Sequence, residues 1–253
     1  MQRTVIGHDW QREILARLAE SGALPGSYLF LGEPQVGKRA VAEELARSLE
    51  PGAETLSETI VLAADERGAI GIEAVRDAKV FLSRAPANAR CRTVIIAGGE
   101  ALTAQACEAL LKAAEEPPPY GVIIVTSPSR DALSETLASR LAILHFGPVE
   151  EIAIESWLIE ERGVEVARAR EIAGSCFGRP GLALELLEAP NLETAPLETP
   201  ADYQFYCKHA MMRLFAKRGT ELRRLRELLL RLRYMETYTT NRKLQLNAAL
   251  WTH

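Results

Sequence analysis

The chain has 253 residues, enough for about two domains and at least one sizeable core. Apolar residues make up 47% of it and charged residues 25%, the formal net charge is −4, and no apolar run approaches the roughly 18 residues of a membrane span. These values argue against a membrane protein, and since the N-terminus shows no secretory signal pattern, we expect a cytoplasmic location.

The order of the predicted elements indicates an α/β domain over residues 1–148. Asp9 is a candidate N-cap for a first helix, whose apolar positions recur every four residues until Ser21–Gly22. Apolar runs rich in β-branched residues then alternate with helical patterns, which predicts a parallel sheet covered by helices on both faces. The expected strands are 28–31, 59–62, 93–96, 122–126 and 142–146, and the expected later helices are 38–48, 72–84, 103–116 and 131–139.

Only helical patterns follow residue 148. We expect a small helical domain over 149–189, with two or three helices broken at Gly163 and at 178–181, and then a proline-containing linker over 190–201. A last helical module over 202–253 holds eleven Lys or Arg against four Asp or Glu. This basic excess suits nucleic acid or an acidic partner, although packing against a neighbouring subunit is the preferred interpretation.

A phosphate-binding loop is predicted at residues 32–38. Gly32, Gly37 and Lys38 fit the pattern G-x-x-x-x-G-K between a predicted strand and a predicted helix. Backbone N–H groups and the helix N-terminus hold phosphates in such a loop, and the lysine neutralises their charge. Hydrolysis also needs a Ser or Thr after the lysine as a magnesium ligand, but the chain has Arg39, which offers only hydrogen-bond donors.

The acidic half of a hydrolytic site is missing as well. An Asp, often followed by Glu, normally ends an apolar strand here, yet 93–96 is followed by Ala97 and Gly98, and Glu100 comes too late for either position. We therefore predict a degenerate site without metal or ATPase activity, which could still hold ATP, ADP or phosphate without magnesium. A competent ATPase that holds its metal through unexpected residues stays an alternative.

Several ordered segments carry a family resemblance that covers residues 5 to about 188. The most specific is LLKAAEEPP at 110–118, and others are IGH at 6–8, YLFLG at 28–32, Thr126 at a strand end and Ser139–Arg140. Together they resemble the clamp-loader branch of the AAA+ family, and within it the delta-prime subunits of bacterial DNA polymerase III. Leu141 stands where that family's Ser-Arg-Cys motif has its cysteine.

The resemblance implies an AAA+ P-loop domain, a helical lid over 149–189 and a short helical collar for oligomerisation over 202–253. It implies a non-hydrolysing subunit of a hetero-oligomer that loads the sliding clamp onto primed DNA. The implied partners are the gamma or tau ATPase subunits, the delta subunit and, through the complex, the clamp and primer–template DNA. Arg140 would be an arginine finger acting in trans on a neighbour's γ-phosphate, and Thr126 would correspond to sensor 1.

The sequence also departs from the family. Delta-prime chains commonly carry a cysteine-rich zinc module, whereas the short link 51–55 has none, so we expect no zinc and no required cofactor. Arg179 resembles a sensor 2 arginine, but its Gly-Arg-Pro-Gly context is equally typical of a turn. A P-loop-derived binding module outside replication remains a third possible function. The cysteines form no C-x-x-C pair and are expected to be reduced: Cys91, Cys107, Cys176 and Cys207.

Overall fold

The computed structural model describes residues 5–52 and 55–188, which fall into two units, one ending at Glu150 and the other beginning at Glu151. The predicted linker over 190–201 and the predicted collar over 202–253, with its basic residues and Cys207, lie outside the described residues. Among the described helices, none is long and apolar enough to cross a membrane.

The first unit is a five-stranded sheet with helices, and every strand pair in it is parallel. The strands run in the order β2-β3-β4-β1-β5. This arrangement confirms the predicted α/β class. The strands are β1 Gly26–Leu31, β2 Thr59–Ala63, β3 Arg92–Ala97, β4 Gly121–Ser127 and β5 Ala142–His145. The α-helices described in this unit are α1 Asp9–Ser21, α2 Lys38–Leu49, α3 Ile72–Leu82, α4 Ala104–Glu115 and α5 Glu135–Ala138.

Helices bury the sheet from both sides, as parallel sheets require. The central strand β4 is buried along its whole length. Because successive side chains of a strand point to opposite faces, neighbouring residues of β1 join different cores. Leu29 packs in the cluster that includes residues of α3 and α4, and Phe30 packs in the cluster that includes residues of α1 and α2.

Two of the expected local details are wrong. The N-cap of α1 is His8, in a left-handed conformation with φ 59° and no side-chain cap, so Asp9 is the first helical residue and pairs with Arg12 at 3.2 Å. An acidic residue in the first turn is stabilised by the helix dipole, which explains why Asp9 suits this place too. The predicted helix 131–139 is a 3-10 turn followed by α5, because Ser134 starts the new helix by accepting a hydrogen bond from the Leu137 N–H.

The second unit contains three described helices, α6 Glu151–Arg162, α7 Val166–Ser175 and α8 Pro180–Glu188. The helix breaks lie where the sequence predicts them, since Gly163 has φ +64° and proline suits the first position of α8. The three helices share a small core of their own, and the interpretation of this unit as a lid stays a prediction. Its buried residues include Ile154, Leu158, Ile172, Cys176, Leu182 and Leu186.

Candidate functional site

The candidate site lies at the carboxyl ends of the three central strands. Gly32 directly follows β1, and its N–H donates to the carbonyl of Ser127, the last residue of β4, at 3.2 Å. Ala97, the last residue of β3, lies opposite Thr126 on β4. This edge of a parallel sheet is where open α/β folds bind ligands, so the predicted loop is in the expected structural context.

Both loop glycines occupy positions that disfavour any other residue. A Cβ at Gly32 would lie 2.2 Å from the Phe146 carbonyl oxygen, far inside normal contact distance. Gly37 has φ +123° and serves as the N-cap of α2. These geometries need glycine for backbone packing alone, whether or not a phosphate ever enters the loop.

Lys38, the first residue of α2, turns its ammonium group back onto the loop. The side chain is buried, with 8% of the residue exposed, and Nζ donates to the carbonyl oxygens of Gly32 and Glu33, the latter at 2.8 Å. Burial lowers the pKa of Lys38, while the negative charges of Glu100 and Glu33 act in the opposite direction. The lysine therefore satisfies carbonyl groups of its own loop.

The groups of this loop suit a phosphate, whereas the usual magnesium-ligand positions hold residues that offer no metal ligand. The N-terminus of the twelve-residue helix α2 and the Lys38 ammonium are the groups that could receive a phosphate. The magnesium-ligand position after Lys38 is Arg39, whose Nε donates to Glu43 at 2.7 Å one turn further along α2. Ala97 and Gly98 offer no carboxylate, and the described residues contain no group of three or more His, Cys, Asp or Glu that could hold a metal ion.

Thr126 is engaged within the sheet. Its side-chain oxygen accepts a hydrogen bond from the N–H of Gly98 at 3.0 Å, and the residue is 6% exposed. Gly98 has φ +94°, so the chain turns sharply where it leaves β3. The Thr126 hydroxyl also lies 3.5 Å from the carbonyl oxygen of Ile96, to which it can donate. Thr126 thus joins the ends of β3 and β4 through both the acceptor and the donor of its hydroxyl group.

Arg140 follows α5 and presents a partly exposed guanidinium group. Its Nε donates to Glu115 Oε2 at 2.9 Å, and its Nη1 donates to the carbonyl oxygen of Thr136 at 2.6 Å. The side chain is 33% exposed. Neither bond goes to the phosphate loop, so Arg140 is held by α4 and α5 rather than by the chain's own candidate nucleotide site.

The sequence did not predict two contacts at these sites, that of Glu115 with Arg140 and that of His8 with the phosphate loop. Glu115 appeared only within the string LLKAAEEPP, and His8 only within the string IGH. The His8 ring nitrogen Nε2 lies 2.9 Å from the carbonyl oxygen of Val36 in the loop, and its ring packs edge-on against Phe146 at 4.9 Å. Burial lowers the pKa of His8. Both contacts link residues more than 20 positions apart, so no local pattern reports them.

Arg179 is bound to its own turn. Its Nε lies 3.4 Å from the carbonyl oxygen of Cys176, and the guanidinium lies 5.8 Å from the centre of the Phe177 ring. Phe177 and Gly178 both have positive φ, as in a tight turn. These contacts support the turn interpretation of Arg179 over a nucleotide sensor.

Comparison with known proteins identifies relatives of the first unit. Residues 7–150 match the model of a family described as "DNA polymerase III, delta subunit". Over 125 residues, which are 49% of this chain, the sequence is 34% identical to the DNA polymerase III subunit delta' of Haemophilus influenzae. It is 36% identical to the replication factor C small subunit of Methanocella arvoryzae over 57% of this chain, and 25% identical to the DNA polymerase III subunit gamma/tau of Mycoplasma genitalium over 67%. The matches cover only 38%, 44% and 30% of those three relatives.

Solved structures with the same fold support this assignment at the level of architecture. A DNA polymerase III gamma-subunit-related protein of Thermotoga maritima superposes with a TM-score of 0.53 and 24% identity, over 86% of this chain and 76% of that one. A RuvB variant from Thermotoga maritima superposes with a TM-score of 0.58 and 17% identity, over 96% of this chain and 81% of that one. At these identities the likeness concerns the fold alone.

Proposed function

Because this chain belongs to the DNA polymerase III delta-subunit family of AAA+ clamp-loader proteins, we propose that it is a non-hydrolysing, delta-prime-like subunit of a bacterial clamp loader. One observation carries the proposal. Every position that would hold magnesium or orient water has a residue that cannot do so, namely Arg39, Ala97 and Gly98. In addition, the Lys38 ammonium is bonded to carbonyl groups of its own loop.

The proposed partners are the gamma or tau ATPase subunits and the delta subunit of the same loader. Through them the chain would reach the sliding clamp and primer–template DNA, in the cytoplasm. The names of the relatives support this assembly, since they are subunits of DNA polymerase III and of replication factor C. We propose no zinc and no required cofactor, although the loop and the N-terminus of α2 can receive a phosphate without magnesium.

The chemical contribution of the subunit would come from Arg140, as an arginine finger acting in trans on a neighbour's nucleotide. Two of the five N–H donors of the guanidinium are used by Glu115 and Thr136, so three remain for a phosphate. The partial exposure of the side chain gives a neighbouring subunit access to them. A planar fork of donors next to a γ-phosphate stabilises the charge that develops during phosphoryl transfer.

The isolated full-length chain tests the first part of the proposal. We expect no magnesium-dependent ATP turnover above background. Turnover abolished by Lys38→Ala would instead show a competent gamma-like ATPase. That second candidate has one supporting observation, because the Glu100 carboxylate lies beside Gly98, where an added Cβ would be 3.6 Å from Glu100 Oε1. If such turnover occurred, its loss in Glu100→Gln would identify Glu100 as the atypical ligand or base.

The assembled loader tests the second part. Complexes of this chain with the clamp-loader ATPase and delta subunits of its own organism are reconstituted, and assembly is checked by gel filtration. Arg140→Ala should spare assembly, lower clamp- and DNA-stimulated ATP hydrolysis partially and lower clamp loading more severely. Arginine fingers supplied in trans accelerate GTP hydrolysis by GTPases about 10³- to 10⁵-fold. In a ring with several ATP sites, however, only the site next to Arg140 would lose this acceleration, so total hydrolysis falls only in part.

Two arginine variants serve as controls. Arg140→Lys should rescue little, since a point charge does not reproduce the planar fork. Arg17→Ala removes an arginine from another exposed ion pair, with Glu13 on α1, and should leave both activities unchanged. Unchanged hydrolysis and loading in a fully assembled Arg140→Ala complex would refute the finger role. A chain that fails to assemble with any clamp-loader ATPase would instead indicate a binding module outside replication.

A further inference from the structure

We propose that Glu115 is a positioning residue for Arg140, which holds the guanidinium so that its unused donors are presented to the neighbouring subunit. The inference rests on the proposed finger role of Arg140 and adds the residue that sets the geometry of the finger. The observation behind it is the hydrogen-bonded ion pair between Arg140 Nε and Glu115 Oε2 at 2.9 Å.

The contacts of Arg140 fix the plane of its guanidinium. Glu115 accepts from Nε and the Thr136 carbonyl accepts from Nη1, so two different nitrogens of one rigid group are held at once. Two such bonds leave the long arginine side chain few alternative rotamers. The donors that remain are both N–H groups of Nη2 and one of Nη1.

The strength of the Glu115 contact suits a positioning role. Glu115 is 59% exposed and Arg140 is 33% exposed, and ion pairs in contact with water are weak. Glu115 is also the last residue of α4, where a carboxylate meets the negative end of the helix dipole, so a nearby cation is favourable there. The pair is therefore strong enough to bias the orientation of Arg140, but too weak to withhold it from a polyphosphate that carries several charges.

The position of Glu115 itself is well defined by α4. Thr103 caps the start of this twelve-residue helix by accepting a hydrogen bond from the Ala106 N–H, and Pro117 and Pro118 follow its end. α5, which precedes Arg140, has only four residues. Glu115 thus ties Arg140 to a longer helix that packs against the sheet, rather than leaving it dependent on a short turn.

The test compares Glu115→Ala, Glu115→Gln and the matched control Glu116→Ala, an exposed carboxylate one residue further along, in reconstituted complexes with the full-length chain. We expect Glu115→Ala to lower kcat for clamp- and DNA-stimulated ATP hydrolysis about two- to fivefold at unchanged KM for ATP, which corresponds to about 0.4–1 kcal/mol. Glu115→Gln should lose less, because its amide oxygen still accepts from Nε. Glu116→Ala should match wild type.

The Arg140→Ala background separates positioning from a purely structural role. If Glu115 acts through Arg140, Glu115→Ala should add nothing to the loss caused by Arg140→Ala. An additive loss, or a Glu115→Ala complex equal to wild type while Arg140→Ala is impaired, would overturn the inference and leave the proposed function standing. If Arg140→Ala itself has no effect in an assembled complex, the finger role fails and the inference fails with it. Should Glu115→Ala not assemble, Glu115→Gln gives the same comparison with a smaller expected loss.

Discussion

Substitution of Gly32 by alanine should destabilise the first unit even when no nucleotide is present. The added Cβ would lie 2.2 Å from the carbonyl oxygen of Phe146 and 3.1 Å from its carbonyl carbon. The obstacle is backbone rather than a flexible side chain. Phe146 is itself fixed next to β1, because its N–H donates to the carbonyl of Leu31 at 2.6 Å.

The size of the effect follows from this clash. Relief needs a backbone shift of roughly 1 Å, since non-bonded contacts are favourable only beyond about 3 Å. Overpacking in a well-packed core costs about 1–3 kcal/mol, and a backbone obstacle places Gly32→Ala at the upper end. A loss of about 3 kcal/mol in the free energy of unfolding corresponds to a fall in Tm of about 6–12 °C for a chain of this size.

Urea and thermal unfolding of the full-length chain without nucleotide measure this loss directly. The matched control is Gly147→Ala, the residue directly after Phe146, where a Cβ would have no heavy atom within 4 Å and the backbone does not require glycine. We expect Gly147→Ala to stay within about 0.5 kcal/mol of wild type. If Gly32→Ala also stayed within about 1 kcal/mol, the packing explanation for this glycine would be wrong.

Two further predictions concern the loop and its neighbour. Lys38→Ala in this chain should leave clamp loading by the assembled complex within a few-fold of wild type, whereas the corresponding lysine change in the ATPase subunit should stop it. If Lys38→Ala in this chain lowered clamp loading about a hundredfold or more, a purely architectural role of the loop would be contradicted. The second concerns His8, whose pKa is lowered by burial in the folded chain. As the pH falls towards about 6.5 and below, the unfolded chain therefore binds more protons at this residue than the folded chain does. The free energy of unfolding should accordingly decrease from pH 7.5 to 5.5. His8→Asn, which tolerates the left-handed backbone, should flatten this dependence in urea unfolding.

The sheet was predictable because its signal is local. The run 122–125 is apolar throughout, and a strand buried on both faces needs that composition, as β4 shows. The phosphate loop was predictable for the same reason, since strand, glycines and lysine are contiguous. Failures arose where a nearby residue competed for the same role. Ser134 starts a new helix inside an apparently continuous helical pattern, and His8 displaces Asp9 as the cap of α1.

The partners of the site residues could not be predicted, because they come from distant parts of the chain. Arg140 was a candidate finger from its motif, but Glu115 lies 25 positions before it and appeared only within the string LLKAAEEPP. The contact between His8 and the loop spans 28 positions. Pairing at such separations depends on the packing of helices against the sheet, about which a single sequence carries no direct signal.

Three side chains at the positions of a hydrolytic site have structural partners within the described residues. The Lys38 ammonium binds loop carbonyls, Arg39 pairs with Glu43 along α2, and the Thr126 side-chain oxygen accepts from the Gly98 backbone. These contacts explain how the loop geometry can persist without nucleotide chemistry, because a loop stabilised by its own hydrogen bonds needs no ligand to stay folded. Arg140 is different, because three of its five guanidinium N–H donors have no partner among the described residues. Under the proposed function, a neighbouring subunit's nucleotide would accept from them.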